Sequence, residues 1–269
     1  MKTALLLSLL TCVSAFASAE TFEWPGHRHA AVVLTYDDAL ESHLSQAVPA
    51  LDAEGLKGTF FLTGTLPEAD LNRWRDVAAE GHELGNHSVF HPCAEGSFEM
   101  PPQYYNENYS IQTMLAEIDV MNTLLAAIDG KRVHSYAMPC GQTVVGGEDY
   151  VDELRTAGSV TYARAIDSPI ADPLKIDPFR VPSIWFPEDV TGEELIDAVK
   201  DVQGTGALQV FGFHGVGGDY LIVPAEAHEE LLAYLHAHED EIWVTTFSEA
   251  MDYLTQKQAE AKSVANAGQ

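Results

Sequence analysis

Residues 30–40, AAVVLTYDDAL, read as a β-strand that runs straight into two carboxylates. The run AAVVLTY is apolar on both of its alternating faces, as a strand covered on both sides of a parallel sheet must be. A helix-patterned segment follows at once, SHLSQAVPALDAE (42–54), with Pro49 as a kink or an internal boundary. KGTFFLTG (57–64) is then a second strand, and ADLNRWRDVAAEG (69–81) a second helix closed by Gly81. HELGNHS (82–88), VHSYAMPCG (133–141), SVTYARAID (159–167), FRVPSIWF (179–186) and ALQVFGFHG (207–215) continue the strands, and IWVTTF (242–247) ends them. Helices are predicted at 110–129, 148–157, 191–202 and 225–238. Alternation over this length predicts an α/β protein: a single-domain, distorted (β/α) barrel of about seven parallel strands, TIM-barrel-like.

The first nineteen residues, MKTALLLSLLTCVSAFASA, stand outside that pattern. Lys2, an apolar stretch to Phe16 and the small residues Ala17-Ser18-Ala19 make a secretory signal peptide rather than a membrane span. The expected division is 1–19 signal peptide, 20–255 catalytic domain and 256–269 flexible C-terminal tail, the tail lacking an apolar period. The mature protein is expected to be secreted or periplasmic. No later segment approaches the roughly 20 continuous apolar residues that cross a bilayer. A formal net charge of −27 repels nucleic acid, anionic membranes and polyanionic glycans, and is compatible with a neutral substrate.

In a β/α barrel the reactive groups sit just past the C-terminal ends of the strands. That rule selects few residues. Asp37 and Asp38 end the first strand, His87 and His91 follow the third, Pro139-Cys140-Gly141 ends the fourth and His214 ends the seventh. Two histidines four positions apart share a face on a helical turn and can chelate one ion. Adjacent carboxylates are too close to flank a glycosidic bond, which takes roughly 5–9 Å. A division of labour fits better. One carboxylate joins the histidines around a metal with an open position for water, and the other takes that water's proton. The competing use of the pair, capping a helix that begins near Ser42, needs only one of them.

LTYDDAL (34–40) resembles the Thr-Phe-Asp-Asp-Gly motif of the polysaccharide deacetylases, the NodB-homology group of carbohydrate esterase family 4. NHSVFH (86–91) is similar to that group's His-Ser/Thr-x-x-His motif, and VFGFHG (210–215) to its apolar strand ending in a catalytic histidine. The resemblance runs from Ala30 to about Tyr253. It implies Asp38, His87 and His91 as metal ligands, Asp37 as general base and His214 as general acid. The backbone N–H of Cys140, in MPCG (138–141), is the implied oxyanion donor. A divalent metal follows, zinc foremost among the first-row ions, with an acetylated carbohydrate that loses N- or O-acetyl groups as substrate.

The sequence departs from the family at several points. Ala137 stands where the third motif has an Arg that pairs with the base, and Arg164, ending TYAR (161–164), is the expected replacement. The Asp-x-x-Asp-Trp motif is not recognisable, and Asp167 and Trp185 are the substitutes it suggests. Ala39 replaces a Gly, acceptable for a negative φ. Tyr104 and Tyr105, in FEMPPQYYNENYS (98–110), offer rings that stack on a sugar or cover the barrel end. After export only Cys93 and Cys140 remain, on loops expected side by side, so an oxidising compartment predicts a disulfide. Two other readings stand beside this one. The first is a related barrel hydrolase acting on cyclic amides. The second, motivated by the missing Arg, is a catalytically weak sugar-binding protein of the same fold.

Overall fold

The computed structural model describes residues 22–166 and 172–267. The expected signal peptide, 1–19, and Asp167 lie outside the described residues. Nine strands are present among those described: β1 Ala30–Asp37, β2 Thr59–Leu62, β3 Glu83–Asn86, β4 His134–Ala137, β5 Val144–Val145, β6 Glu148–Asp149, β7 Val160–Arg164, β8 Leu208–Phe213 and β9 Ile242–Thr245. Seven of them form one sheet in the order β7-β4-β3-β2-β1-β8, with β9 also on β1. All its pairings are parallel. β1 is the hub: Thr35–Asp37 pair with β2, Ala30–Val33 with β9, and Ala31–Tyr36 with β8. The helices are α1 Val48–Ala53, α2 Leu71–Ala79, α3 Ile111–Asp129, α4 Val151–Ala157, α5 Gly192–Lys200, α6 Ala225–Ala237 and α7 Phe247–Ala267. The result is the expected distorted (β/α) barrel, a curled parallel sheet wrapped by helices.

Strand alternation decides where the site forms. Val32, Leu34 and Tyr36 of β1 face outward into a core shared with Leu195 and Val199 of α5 and Leu231 and Leu235 of α6. Ala31 and Val33 face inward, packed with Phe61, Val210 and Phe247. The same parity sends Thr35 and Asp37 inward, so β1 delivers its last carboxylate to the barrel mouth. Glu83 sits at the other end of the interior, where the Thr59 hydroxyl (3.0 Å) and the Ser248 N–H (2.8 Å) donate to it.

Several expectations change. The segment 179–186 is not a strand, because Pro182 removes a ladder donor. It makes single bridges instead, Val181 to Arg164 and Ile184 to Phe211, and so closes the gap between β7 and β8. Pro49, by contrast, marks the internal boundary expected of it, in the first turn of α1. A π-turn, His43–Ala47, precedes α1 and relieves the clash between the proline ring and the carbonyl four residues back. The two-residue hairpin β5–β6 precedes α4 and carries no alternating pattern long enough to read. The expected tail is helical: α7 runs to Ala267, since Gln, Ala, Glu and Lys favour helix without an apolar stripe. Gln258 anchors it, its amide donating to the carbonyls of Pro173 (2.8 Å) and Ile176 (2.9 Å). α3 is long and apolar enough to cross a membrane by length and composition. Its Met114, Ile118, Met121 and Leu125 are nonetheless buried in the two cores that it spans.

Candidate active site

Successive side chains of a strand point to opposite faces, so Asp37 and Asp38 converge only if the strand breaks between them. It does: Asp38 has φ +80° and Ala39 φ +56°. Ala39 therefore lies in the left-handed region, not at the negative φ expected, at a cost of roughly 1 kcal/mol relative to glycine. The Asp38 N–H is held by the Phe61 carbonyl at 3.0 Å. His87 leaves β3 with its backbone N–H on the Leu62 carbonyl (2.9 Å), and its ring Nδ1–H donates to the Ala137 carbonyl (2.8 Å). A carbonyl can only accept, so the Nε2 lone pair of neutral His87 is the one aimed into the mouth.

His91 does not reach its partner along a helical turn. Ser88 and His91 have φ of +62° and +52°, a loop pinned by Asn86 Oδ1 on the Ser88 N–H (2.8 Å) and Ser88 Oγ on the His91 N–H (3.0 Å). The loop brings His91 Nε2 to 3.1 Å from His87 Nε2 and 3.6 Å from Asp38 Oδ1, while His87 Nε2 is also 3.6 Å from Asp38 Oδ1. Single ligand atoms of Asp38, His87 and His91 all lie within 4.8 Å of one another. Burial, reinforced by His87, lowers the His91 pKa to about 4, so its ring offers a lone pair at neutral pH. Two imidazoles and a carboxylate so arranged fit a divalent metal with an open position.

Asp37 stands beside this cluster, 3.4 Å from His87 Nε2. Arg164, at the end of β7, donates to Asp37 Oδ2 at 2.6 Å and to Thr35 Oγ1 at 2.8 Å. Burial pushes the Asp37 carboxyl up, but Arg164, then His87 and His214, outweigh it and hold the pKa down to about 2. Asp37 Oδ1 is buried without a protein partner. The Arg164 guanidinium lies between the rings of Phe61 (5.0 Å) and Trp185 (4.9 Å), which keeps water from competing for it.

His214, after β8, places Nε2 3.7 Å from Asp38 Oδ2, and Trp185 packs against its ring at 4.8 Å between centroids. Burial lowers its pKa against the pull of Asp37 and Asp38. Two partners were not legible as functional residues. Tyr220 donates to Asp38 Oδ2 at 2.7 Å, from a loop whose only signal is its glycines. His43 accepts from the Leu40 N–H (3.3 Å) and donates to the His214 carbonyl (2.9 Å), tying the two loops of the mouth. Only a neutral imidazole does both, and burial lowers its pKa to about 4.

Cys93 and Cys140 form a disulfide, Cα–Cα 5.9 Å, which fixes the His91 loop to the turn carrying Cys140. Tyr104 and Tyr105 do not join the cluster. Tyr104 stacks on Phe90 (4.5 Å), lining a cavity of about 410 Å³ with Val89, Tyr109, Glu117 and Val120, and the Tyr105 hydroxyl accepts from the Met100 N–H (3.4 Å).

The sequence matches the polysaccharide deacetylase family over residues 26–159. It is 36% identical over 75 residues to a peptidoglycan-N-acetylglucosamine deacetylase of Bacillus cereus, covering 28% of this chain and 27% of that protein. It is 30% identical over 162 residues to a gellan lyase of a Bacillus species, covering 60% of this chain and 6% of that protein. The chain thus spans about a quarter or less of the length of these curated relatives. The solved structure of a peptidoglycan deacetylase from Bacillus subtilis superposes with a TM-score of 0.55 at 20% identity, covering 88% of this chain and 96% of that one. With the motifs, the fold and this match in agreement, the chain belongs to the polysaccharide deacetylase family.

Proposed function

We propose that this chain is an exported hydrolase that removes N- or O-acetyl groups from a neutral carbohydrate, with a divalent metal, zinc above all, held by Asp38, His87 and His91. Residues 20–255 form the catalytic unit in this reading, and 1–19 direct export. The observation that carries it is Asp37: a buried carboxylate locked to Arg164 stands 3.4 Å from His87 Nε2, one of three convergent ligand atoms. Histidine and carboxylate donors in that number suit zinc and accept other first-row ions.

The bound ion supplies Lewis acidity, polarising the acetyl carbonyl and making water acidic enough for a weak base. The weakness is built in, because Arg164 keeps Asp37 ionised at the expense of its basicity. Asp37 takes the proton of the attacking water. His214, across the mouth, gives a proton to the departing amine or alcohol, its ring steadied by Trp185. The Cys140 backbone N–H assists the oxyanion.

The test is acetate release from chitin oligomers, acetylated xylan and peptidoglycan, with metal stripped by a chelator and then restored. Release that needs the metal is expected, and His87→Ala should lose both ion and turnover. Full activity of the stripped protein, or a metal-loaded protein that binds glycans and releases no acetate, overturns the reading. His214→Ala should keep its metal and lose about 10²–10⁴ in kcat, the scale of one proton-transfer group. Normal turnover in that variant removes His214 from the mechanism.

A further inference from the structure

His91 belongs to two sets of potential ligands at once. Its Nε2 faces Asp38 and His87, at 3.6 and 3.1 Å. Its Nδ1 faces the other way and lies 3.7 Å from Cys93 Sγ. A His91 nitrogen and the sulfurs of Cys93 and Cys140 lie within 4.8 Å of one another. While the disulfide is intact those sulfurs are spoken for. We propose that reducing the Cys93–Cys140 disulfide creates a second metal site, His91 Nδ1 with two thiolates, that takes a zinc-class ion in competition with the Asp38–His87–His91 cluster.

Three observations carry the proposal. The donor set, two thiolates and one imidazole, is the soft combination that structural zinc sites use. The loops stay apposed without the disulfide, because the Gln142 side-chain carbonyl accepts from both the Ala94 N–H and Asn106 Nδ2, each at 2.7 Å. The Asn106 N–H also holds the Cys93 carbonyl at 2.9 Å. The Cα–Cα separation of 5.9 Å suits two ligands of one tetrahedral ion as well as a disulfide. Zinc–sulfur bonds of about 2.3 Å put such sulfurs roughly 3.7 Å apart, a separation that side-chain rotation alone can provide.

Competition follows from the imidazole. A neutral ring has one lone pair, so His91 serves the carboxylate side through Nε2 or the sulfur side through Nδ1, not both. Cys140 is the less buried of the two cysteines and so the one the reductant reaches, while Cys93 is buried. A phosphine attacks Cys140 Sγ, the sulfur–sulfur bond breaks with its electron pair leaving on Cys93, and water hydrolyses the thiophosphonium. The products are two thiols and the phosphine oxide, its oxygen taken from water. Binding the ion then releases the two thiol protons to solvent.

The experiment is cobalt(II) binding to wild type and to His87→Ala, each oxidised or reduced with a trialkylphosphine and freed of excess metal by gel filtration. His87→Ala disables the first cluster and leaves the second intact. Reduced His87→Ala should retain about one cobalt with a sulfur-to-cobalt charge-transfer band, oxidised His87→Ala should retain none, and adding Cys93→Ser should abolish the band. Reduced wild type should acquire the band and still hold a single cobalt. A reduced His87→Ala protein with two titratable thiols and neither cobalt nor band overturns the second site, and two cobalt ions on reduced wild type overturn the competition. Neither readout depends on acetyl hydrolysis, so failure here is distinguishable from failure of the deacetylase reading.

Discussion

Asp37→Asn keeps its metal and loses about 10²–10⁴ in kcat on any acetylated glycan that the wild type turns over. The amide fills the same space, and its oxygen still accepts from Arg164, so the guanidinium stays where the 2.6 Å pair puts it. What disappears is the second basic oxygen, the buried Oδ1 with no protein partner. The three residues proposed to hold the metal are untouched, so metal content by mass spectrometry should match wild type while single-turnover acetate release collapses. A variant that turns over normally would falsify Asp37 as the base. A variant that loses its ion would make Asp37 a fourth ligand.

Arg164→Met destabilises the fold by about 3–5 kcal/mol, because a buried carboxylate is left facing apolar surface without its partner. Denaturant unfolding measures the loss, and its pH dependence identifies the cause. In the wild type, Asp37 titrates in the folded state at about 2, below its unfolded value. Its contribution is therefore complete above roughly pH 4 and is lost as the pH falls through 2. In Arg164→Met, burial is opposed only by His87 and His214, and the carboxyl rises from its wild-type value. The stability of the variant relative to wild type should therefore improve on acidification. A deficit that is constant with pH would mean that the loss is one of packing against Phe61 and Trp185 alone.

The part of the site legible in the sequence was the part that local rules control. A strand that ends in Asp37 must present it at the mouth, and strand order brings β3 and β8 to the same mouth whatever lies between them. Arg164 was readable because β7 is adjacent to β4, where Ala137 leaves the guanidinium missing. The rest depends on backbone geometry that residue types do not announce. The positive φ of Asp38, Ser88 and His91 turns neighbouring side chains toward one point, and none of the three is glycine. Tyr220 and His43 act across sequence distances of 182 and 171 residues, from segments with no chemical motif of their own. The failed strand at 179–186 has the same origin: its apolar residues say strand, and whether Pro182 sits on a free edge or in a closing position is a tertiary fact.

That closing segment gives the barrel a seam. On the β7 side it is held by Ala163 N–H to Pro178 O (2.9 Å), Val181 N–H to Ala163 O (3.0 Å) and Ala165 N–H to Val181 O (2.8 Å). On the β8 side only Ile184 N–H to Val210 O (2.9 Å) and Gly212 N–H to Ile184 O (2.8 Å) remain. β1, by contrast, is laddered on both edges along its length. Local opening should therefore begin at the seam, with the amides of Val181 and Ile184 exchanging with deuterium well before those of Val32 and Val33. Trp185 sits at that seam, so the wall behind Arg164 and His214 is also the part of the barrel that breathes most easily. Opening there leaves undisturbed β1 and β3, the strands that deliver Asp37, Asp38 and His87 to the mouth.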